Sequence, residues 1–553
     1  MPLGDATSPP RASLLTALHA PAGAVSGTVA GAVALAGLAL LIARPVTSAH
    51  PATLHVFQYL FDRNEPSAAW LALGIVAVGL VLCRWTAFPE RLFVSRLAAD
   101  PRAFIVAATL VLAACALLVY RAHPLSMDEY APLFQARVFA RGHLHAQVPP
   151  ALIPRLIPPI RWFIEASPSG AMVSAYWPGF ALLLAPFVWL GCPWVLNPIL
   201  GGATLFLVWC IARRLWPDTA APGWAVLFTA ASPAFSVNAI SYYSMNAHLA
   251  ASAAFALLVL EDRLFAAGVV GSVALALHNP FPHTLFALPW IASIAWKPGG
   301  VRRVTRLALG YAPGITVLVV GWMVYRASII HPVHAAQGLM TTLEAIARST
   351  FAAPSLQLLF ERSMNVTQLA SWAAPALLPL AVLGAVRCKG NPRARLFVLS
   401  AILTLAGYAI VTYDQGHGWG FRYFHAAWVA LPLLAAGALE GADATLPLRK
   451  IALAGALCSL VLCTPLRFGQ VRTFIDSHLE QLPRANGGRE IVFLDVVRGS
   501  YTLDLVQNDP FLDGSRWILI SLGELEDARF MHAFFPTAKR TTASPLASVW
   551  KVD

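Results

Sequence analysis

Apolar runs close to the length of a bilayer crossing recur along this chain from Gly23 to Pro465, and no other feature limits its fold as strongly. A helix rises 1.5 Å per residue, so about 20 consecutive apolar residues cover a hydrocarbon core. About thirteen stretches approach that length by hydropathy. They lie near 22–43, 67–83, 103–120, 194–212, 221–237, 247–260, 264–278, 281–296, 307–325, 369–386, 396–413, 423–439 and 450–465. With 58% hydrophobic and 12% charged residues, the chain lacks the polar surface a water-soluble domain needs. The pattern therefore predicts an all-α polytopic membrane protein with about 13 transmembrane helices.

Lysine and arginine set the orientation, because they collect in cytoplasmic connections. With the N-terminus inside, those connections hold Arg84, Arg91, Arg96 and Arg102, then Arg213 and Arg214, then Lys297, Arg302, Arg303 and Arg306. Arg387, Lys389, Arg393, Arg395, Arg449 and Lys450 complete the series. The apolar run Tyr176–Gly191 is short and interrupted by Pro178 and Pro186, so it reads as a re-entrant or juxtamembrane helix. This assignment places the long 121–193 loop and everything after Pro465 outside the cell. The expected location is a membrane crossed many times, with the C-terminal domain on the far side.

The net charge of +12 belongs to the membrane part, because residues 467–553 hold 10 basic and 11 acidic residues. Such an excess suits anchoring to an anionic bilayer and argues against nucleic acid as a partner. Seven scattered cysteines form no zinc spacing or disulfide framework. The tail alternates apolar runs, Ile491–Val496, Trp517–Leu522 and Ser548–Val552, with a helical stretch, Glu524–Phe535, and so reads as a small extracytoplasmic α/β domain. Four parts follow: N-terminal extra transmembrane helices at 1–102, a membrane core at 103–440, a last transmembrane helix at 441–466, and the α/β domain at 467–553.

Within the 121–193 loop, Met127–Gly142 reads MDEYAPLFQARVFARG. Tyr130, Leu133, Phe134 and Val138 fall at helical spacing, and Pro132 is tolerated only in a first turn, which makes Asp128 the expected N-cap. Two adjacent carboxylates, Asp128 and Glu129, beside a bilayer suit an enzyme that deprotonates a hydroxyl or amine while its other substrate stays in lipid. Capping alone is the plainer role for Asp128, and the two are compatible because a capping carboxylate is already held in place. Far along the chain, Gly416–Tyr423 reads GHGWGFRY, with Arg422 at a span end after a glycine-rich turn. Arginine offers a planar fork for phosphate, although a boundary arginine also snorkels by default. Aromatic residues Tyr176 and Trp177 open the re-entrant segment, and Tyr413, Trp419 and Tyr423 flank Arg422; both groups could stack on a sugar or anchor the interface. His143 and His145 lack a third ligand, so no metal site is assigned. For His278, Asn279, His283, His331 and His334, lining an external cavity and plain packing are both compatible with the sequence.

The acidic motif D-E-Y-A-x-x-F-Q-A-x-x-F-A-x-G resembles that of GT-C glycosyltransferases, in the branch of protein O-mannosyltransferases and aminoarabinose lipid A transferases. Tyr176–Phe180, Leu207–Trp216, Ser232-Pro233 with Ser241–Ser244, and Gly420–Tyr423 follow in the family's order, and the similarity covers roughly 103–440. The resemblance implies a GT-C-like core, a polyprenyl-phosphate sugar donor, an extracytoplasmic lipid, glycan or protein acceptor, and inverting transfer. It makes Asp128 the base and Glu129 its acidic partner. Tyr130, Arg137, Tyr176, Trp177, His417, Arg422 and Tyr423 become candidates for binding substrate. No cofactor is required, and a divalent cation between the acidic pair and the phosphate remains compatible. The competing readings are a lipid-linked glycan translocase and a non-catalytic membrane subunit of an envelope assembly complex. Carboxylates gathered in loops rather than in mid-span favour the enzyme.

Overall fold

The computed structural model describes residues 56–82, 90–157, 163–330, 348, 350–353, 355–413, 415–440, 446–485 and 487–552. The expected first span at 22–43, together with His331 and His334, lies outside the described residues. Helices dominate. Three of them, Pro193–Leu215, Gly300–Ile330 and Leu448–Leu479, are long and apolar enough to cross a membrane; a fourth forms if Phe93–Ala99 and Arg102–Leu118, bent by 93°, make one span. The expected count of thirteen is not reached among the described residues.

Shorter apolar helices account for much of the difference. They include Ala221–Ala230, Met245–Leu260, Leu264–Ala276, Phe281–Ala295, Leu377–Arg387 and Ala430–Glu440. Proline is one reason: it occupies the first turn at Pro222 and Pro282 and lies inside a helix at Pro289. A proline donates no backbone hydrogen bond, so it starts or kinks helices rather than extending them. Leu309, Val317 and Val324 point out from Gly300–Ile330, giving that helix a face suited to lipid rather than water.

Helices Leu264–Ala276 and Gly300–Gly314 approach backbone to backbone. A methyl on Gly268 would sit 2.1 Å from the Leu307 carbonyl oxygen, and one on Gly310 would sit 2.1 Å from that of Phe265. Small residues allow this close packing where water supplies no driving force between helices.

The 121–193 segment contains the acidic helix Met127–Ala140 and a small antiparallel sheet. Its strands are β1 (Ala146–Gln147), β2 (Ile164–Ala166) and β3 (Ala171–Ser174), with β3 in the centre. Ala146 pairs with Met172, and Ile164 pairs with Ser174. The short helix Gly179–Trp189 follows.

The tail adds β4 (Arg489–Leu494), β5 (Arg516–Ile520), helix Glu524–Phe534, β6 (Lys539–Ala543) and β7 (Ala547–Val552). The sheet order is β5-β4-β7-β6, parallel between β4 and β5 and antiparallel elsewhere. β6 was not expected, because its sequence KRTTA is exposed throughout and carries no apolar alternation. The last long helix continues to Leu479, beyond the expected end of the span.

The tail does not stand apart. Tyr130, Phe134 and Val138 of the acidic helix, Ala146 and Met172 of the small sheet, and Ile491, Phe493, Leu519, Phe530 and Trp550 of the tail form one apolar cluster. A buried ion pair, Arg155 to Asp527 at 2.5 Å, pins the same contact, with Arg155 stacked over Phe530. Burial of this kind stabilises by about 25 cal/mol per Å² of apolar surface. The tail and the acidic helix are thereby packed as one body.

Candidate active site

The acidic helix begins at Ser126, not at Asp128 as its sequence predicted. Ser126 and Glu129 form a capping box, in which each side chain meets the other residue's backbone N–H. Asp128 is thereby freed from capping and projects from the first turn. Glu129 turns inward and is fully buried. Its Oε1 accepts from the Tyr120 hydroxyl at 2.9 Å and the Tyr242 N–H at 2.8 Å. Its Oε2 accepts from the N–H groups of Leu125 at 2.7 Å and Ser126 at 3.3 Å. Burial pushes this carboxyl up, to about 8, while the four donors pull it back. Glu129 thus ties the turn before Asp128 to the 240–244 loop.

Asp128 meets Arg422 across most of the chain, Oδ2 accepting from Nη2 at 2.6 Å. The Tyr176 hydroxyl donates to Asp128 Oδ1. Only 15% of the Asp128 side chain and 7% of the Arg422 side chain remain exposed, so the pair is largely shielded from water. Burial pushes Asp128 up, but Arg422, His278 and the Tyr176 hydroxyl together hold it below the ordinary carboxylate value. His278 stacks on Tyr176 with ring centroids 4.3 Å apart.

Arg422 lies against an aromatic wall. Its guanidinium carbon is 5.0 Å from the Tyr243 ring centre and 5.8 Å from that of Tyr423, and Tyr423 stacks on Tyr408 at 4.6 Å. Two further nitrogens, Nε and Nη1, are buried with no hydrogen-bond partner among the described residues. A buried donor without an acceptor is costly, so these nitrogens favour an incoming anion. The loop holding Arg422 is fixed by Gln415, which accepts from the Arg422 N–H at 3.1 Å and donates to the Gly420 carbonyl at 2.7 Å. Gly420 has φ +72°, a conformation that disfavours any residue with a side chain.

The remaining candidates fall around this centre. His417 lies in the Arg422 loop and pairs through Nε2 with Asp504 Oδ2 at 2.8 Å. Trp177, next to Tyr176, keeps its indole N–H buried without a partner among the described residues. Arg137 is half-buried in the last turn of the acidic helix, near His123 and Tyr242. Tyr130 faces the tail instead, donating to the Asn508 carbonyl at 2.5 Å and accepting from the Asn508 N–H at 2.8 Å. His145 bonds Tyr325 at 2.7 Å, whereas His143 lies against Phe511. Among the described residues, no group of three or more His, Cys, Asp or Glu side chains is placed to hold a metal.

Sequence reasoning did not single out Tyr120, Ser126 or Asp504. The S-x-x-E spacing of Ser126 and Glu129 was a readable capping signal. Nothing in the local sequence marks Tyr120 or Asp504.

No family model matches the chain, and no curated protein matches it in sequence. Its fold matches the crystal structure of ArnT from Cupriavidus metallidurans bound to undecaprenyl phosphate. That match has a TM-score of 0.50 at 13% identity and covers 81% of this chain and 97% of that one. The apo state of the same ArnT aligns with a TM-score of 0.48 at 13% identity, over 82% and 98% of the two chains. The chain is thus similar in fold to that ArnT along most of its length.

Proposed function

We propose that this protein is a membrane glycosyltransferase that moves a sugar from a polyprenyl-phosphate carrier to an extracytoplasmic lipid, glycan or protein acceptor. The observation that carries this reading is the shielded Asp128–Arg422 pair, with two guanidinium nitrogens that have no hydrogen-bond partner among the described residues, beside an aromatic wall. The likeness in fold to ArnT supports it. So does the sequence resemblance to the aminoarabinose lipid A transferase branch.

The chemistry requires a cation for the phosphate and a base for the acceptor. Arg422 would draw the phosphate with its unpartnered nitrogens, and in doing so loosen its hold on Asp128. Asp128 would then take the proton from the acceptor hydroxyl or amine as that atom attacks the anomeric carbon. The carbon–oxygen bond to phosphate breaks, and the phosphate leaves with the bonding electron pair on its lipid. Because phosphate is already a stable leaving group, no general acid is needed, and a single displacement inverts the sugar. Glu129 would assist by holding the turn before Asp128, while Tyr176, Trp177, Tyr423, Arg137 and His417 would shape the cavity. The site and the α/β tail would face outward from a bacterial inner membrane, with the N-terminus inside.

The test is mass spectrometry of cell-surface glycans with the wild type, with Asp128→Asn and without the protein, after confirming membrane insertion. Loss of one sugar modification in both the deletion and the variant supports the reading, since general-base removal costs about 10²–10⁴-fold. An unchanged glycan profile without the protein would remove the assignment. Full transfer by Asp128→Asn would remove Asp128 as the base.

A further inference from the structure

The candidate centre is held from both sides by a single tail carboxylate. Asp504 sits in the one-turn 3-10 helix Thr502–Leu505, launched by Tyr501 in the left-handed conformation at φ +57°. Its Oδ1 accepts from the Met127 N–H at 2.8 Å, immediately before Asp128. Its Oδ2 meets His417 Nε2 at 2.8 Å, five residues before Arg422. One side chain therefore binds the segments that supply the two partners of the Asp128–Arg422 pair. Gln507 secures the turn from behind, donating to the carbonyls of Pro124 and Asp504 at 2.7 Å each. The Tyr130–Asn508 exchange fixes the next turn of the acidic helix.

The geometry points to Asp504 as a positioning residue: the tail completes the transfer site by setting the distance and angle between Asp128 and Arg422. This rests on the transferase reading for its catalytic consequence, and on the contacts alone for its structural one. A carboxylate with only 15% of its side chain exposed, facing a ring that is 7% exposed, holds position better than a solvated one, because few alternative partners compete. A misplacement of about 1 Å at a reacting centre costs on the order of 10²-fold in rate. The α/β tail is then part of the catalytic machinery and cannot be separated from the membrane core.

The test uses the full-length protein in lipid nanodiscs with Asp504→Ala, Asp504→Asn and Asp504→Glu. Hydrogen–deuterium exchange is followed at 127–130, at 415–423 and across β4. Ala should raise exchange at both site segments by about tenfold or more while β4 keeps its protection. Asn retains the acceptor for Met127 and should loosen mainly 415–423. Sugar transfer by Asp504→Ala should lose at least tenfold in kcat with less than twofold change in KM for the lipid-linked donor, and Glu should recover part of the loss. Unchanged exchange at either segment, or loosening confined to the tail, overturns the proposal. A wild type that transfers no sugar while the exchange pattern holds would sink the transferase reading and leave the positioning contact standing.

Discussion

The guanidinium of Arg467 and the carboxylate of Glu65 meet at 2.7 Å, with neither side chain more than 2% exposed. Arg467 also lies 4.1 Å from the Trp372 ring centre, and the Trp372 indole donates to Glu65 at 2.7 Å. The helices Val56–Leu82, Leu356–Ser371 and Leu448–Leu479 are joined at this point. Replacing Arg467 with Met strands a buried carboxylate and should destabilise by about 3–5 kcal/mol. Pairing it with Glu65→Gln should recover much of that loss. Thermal unfolding in detergent reports both, and equal melting of the single variant and the wild type would contradict the prediction.

Asp128 has its carboxyl depressed in the folded protein, because burial, which pushes it up, is outweighed by Arg422, His278 and Tyr176 together. The contribution of this group to stability is therefore fully present above the unfolded carboxylate value of about 3.9, and is lost as pH falls through the lower folded value. Transfer by the wild type should accordingly show no acid decline between pH 7 and about 5 from this residue. In Arg422→Gln burial is unopposed by the cation, so the acid limb of the residual activity should move to higher pH. A pH–rate profile of both proteins decides it, and superimposable acid limbs would remove the coupling.

Tyr176→Phe removes one donor to Asp128 and leaves the ring stacked on His278. A hydrogen bond to a charged group contributes about 1.5–3 kcal/mol. The variant should therefore melt lower than the wild type while still folding, and the acid limb of its transfer activity should move to higher pH, because one group that holds the carboxylate ionised is gone. A pH–rate profile beside a melting curve checks both.

Glu129→Ala abandons four donors in a site closed to water. Each unsatisfied group costs about 1–3 kcal/mol, so the variant should be severely destabilised, more so than Tyr176→Phe. Expression level and melting temperature in the same detergent test the ranking.

Much of this arrangement is legible in the sequence, and the remainder fails for identifiable reasons. The D-E-Y motif and the G-F-R-Y motif locate Asp128 and Arg422, because each departs from an otherwise apolar background. The tail strands β4, β5 and β7 follow from their apolar runs, whereas β6 presents only exposed residues. Ser126 was overlooked because an aspartate two positions on is an equally good cap by type, and only the spacing to Glu129 separates them. Asp504 and Tyr120 carry no local signal, since their importance lies in contacts to residues far away in the chain. The crossing count is weakest, because hydropathy does not register where proline and glycine divide an apolar run.

The shared apolar core of the acidic helix and the tail has a consequence for biosynthesis. Tyr130 and Phe134 find part of their packing on strands β4, β5 and β7, and β7 ends at Val552. The acidic helix is thus made long before the strands it packs on. Until β4, β5 and β7 have been added, the membrane core holds its candidate side chains without the surface that sets them in order.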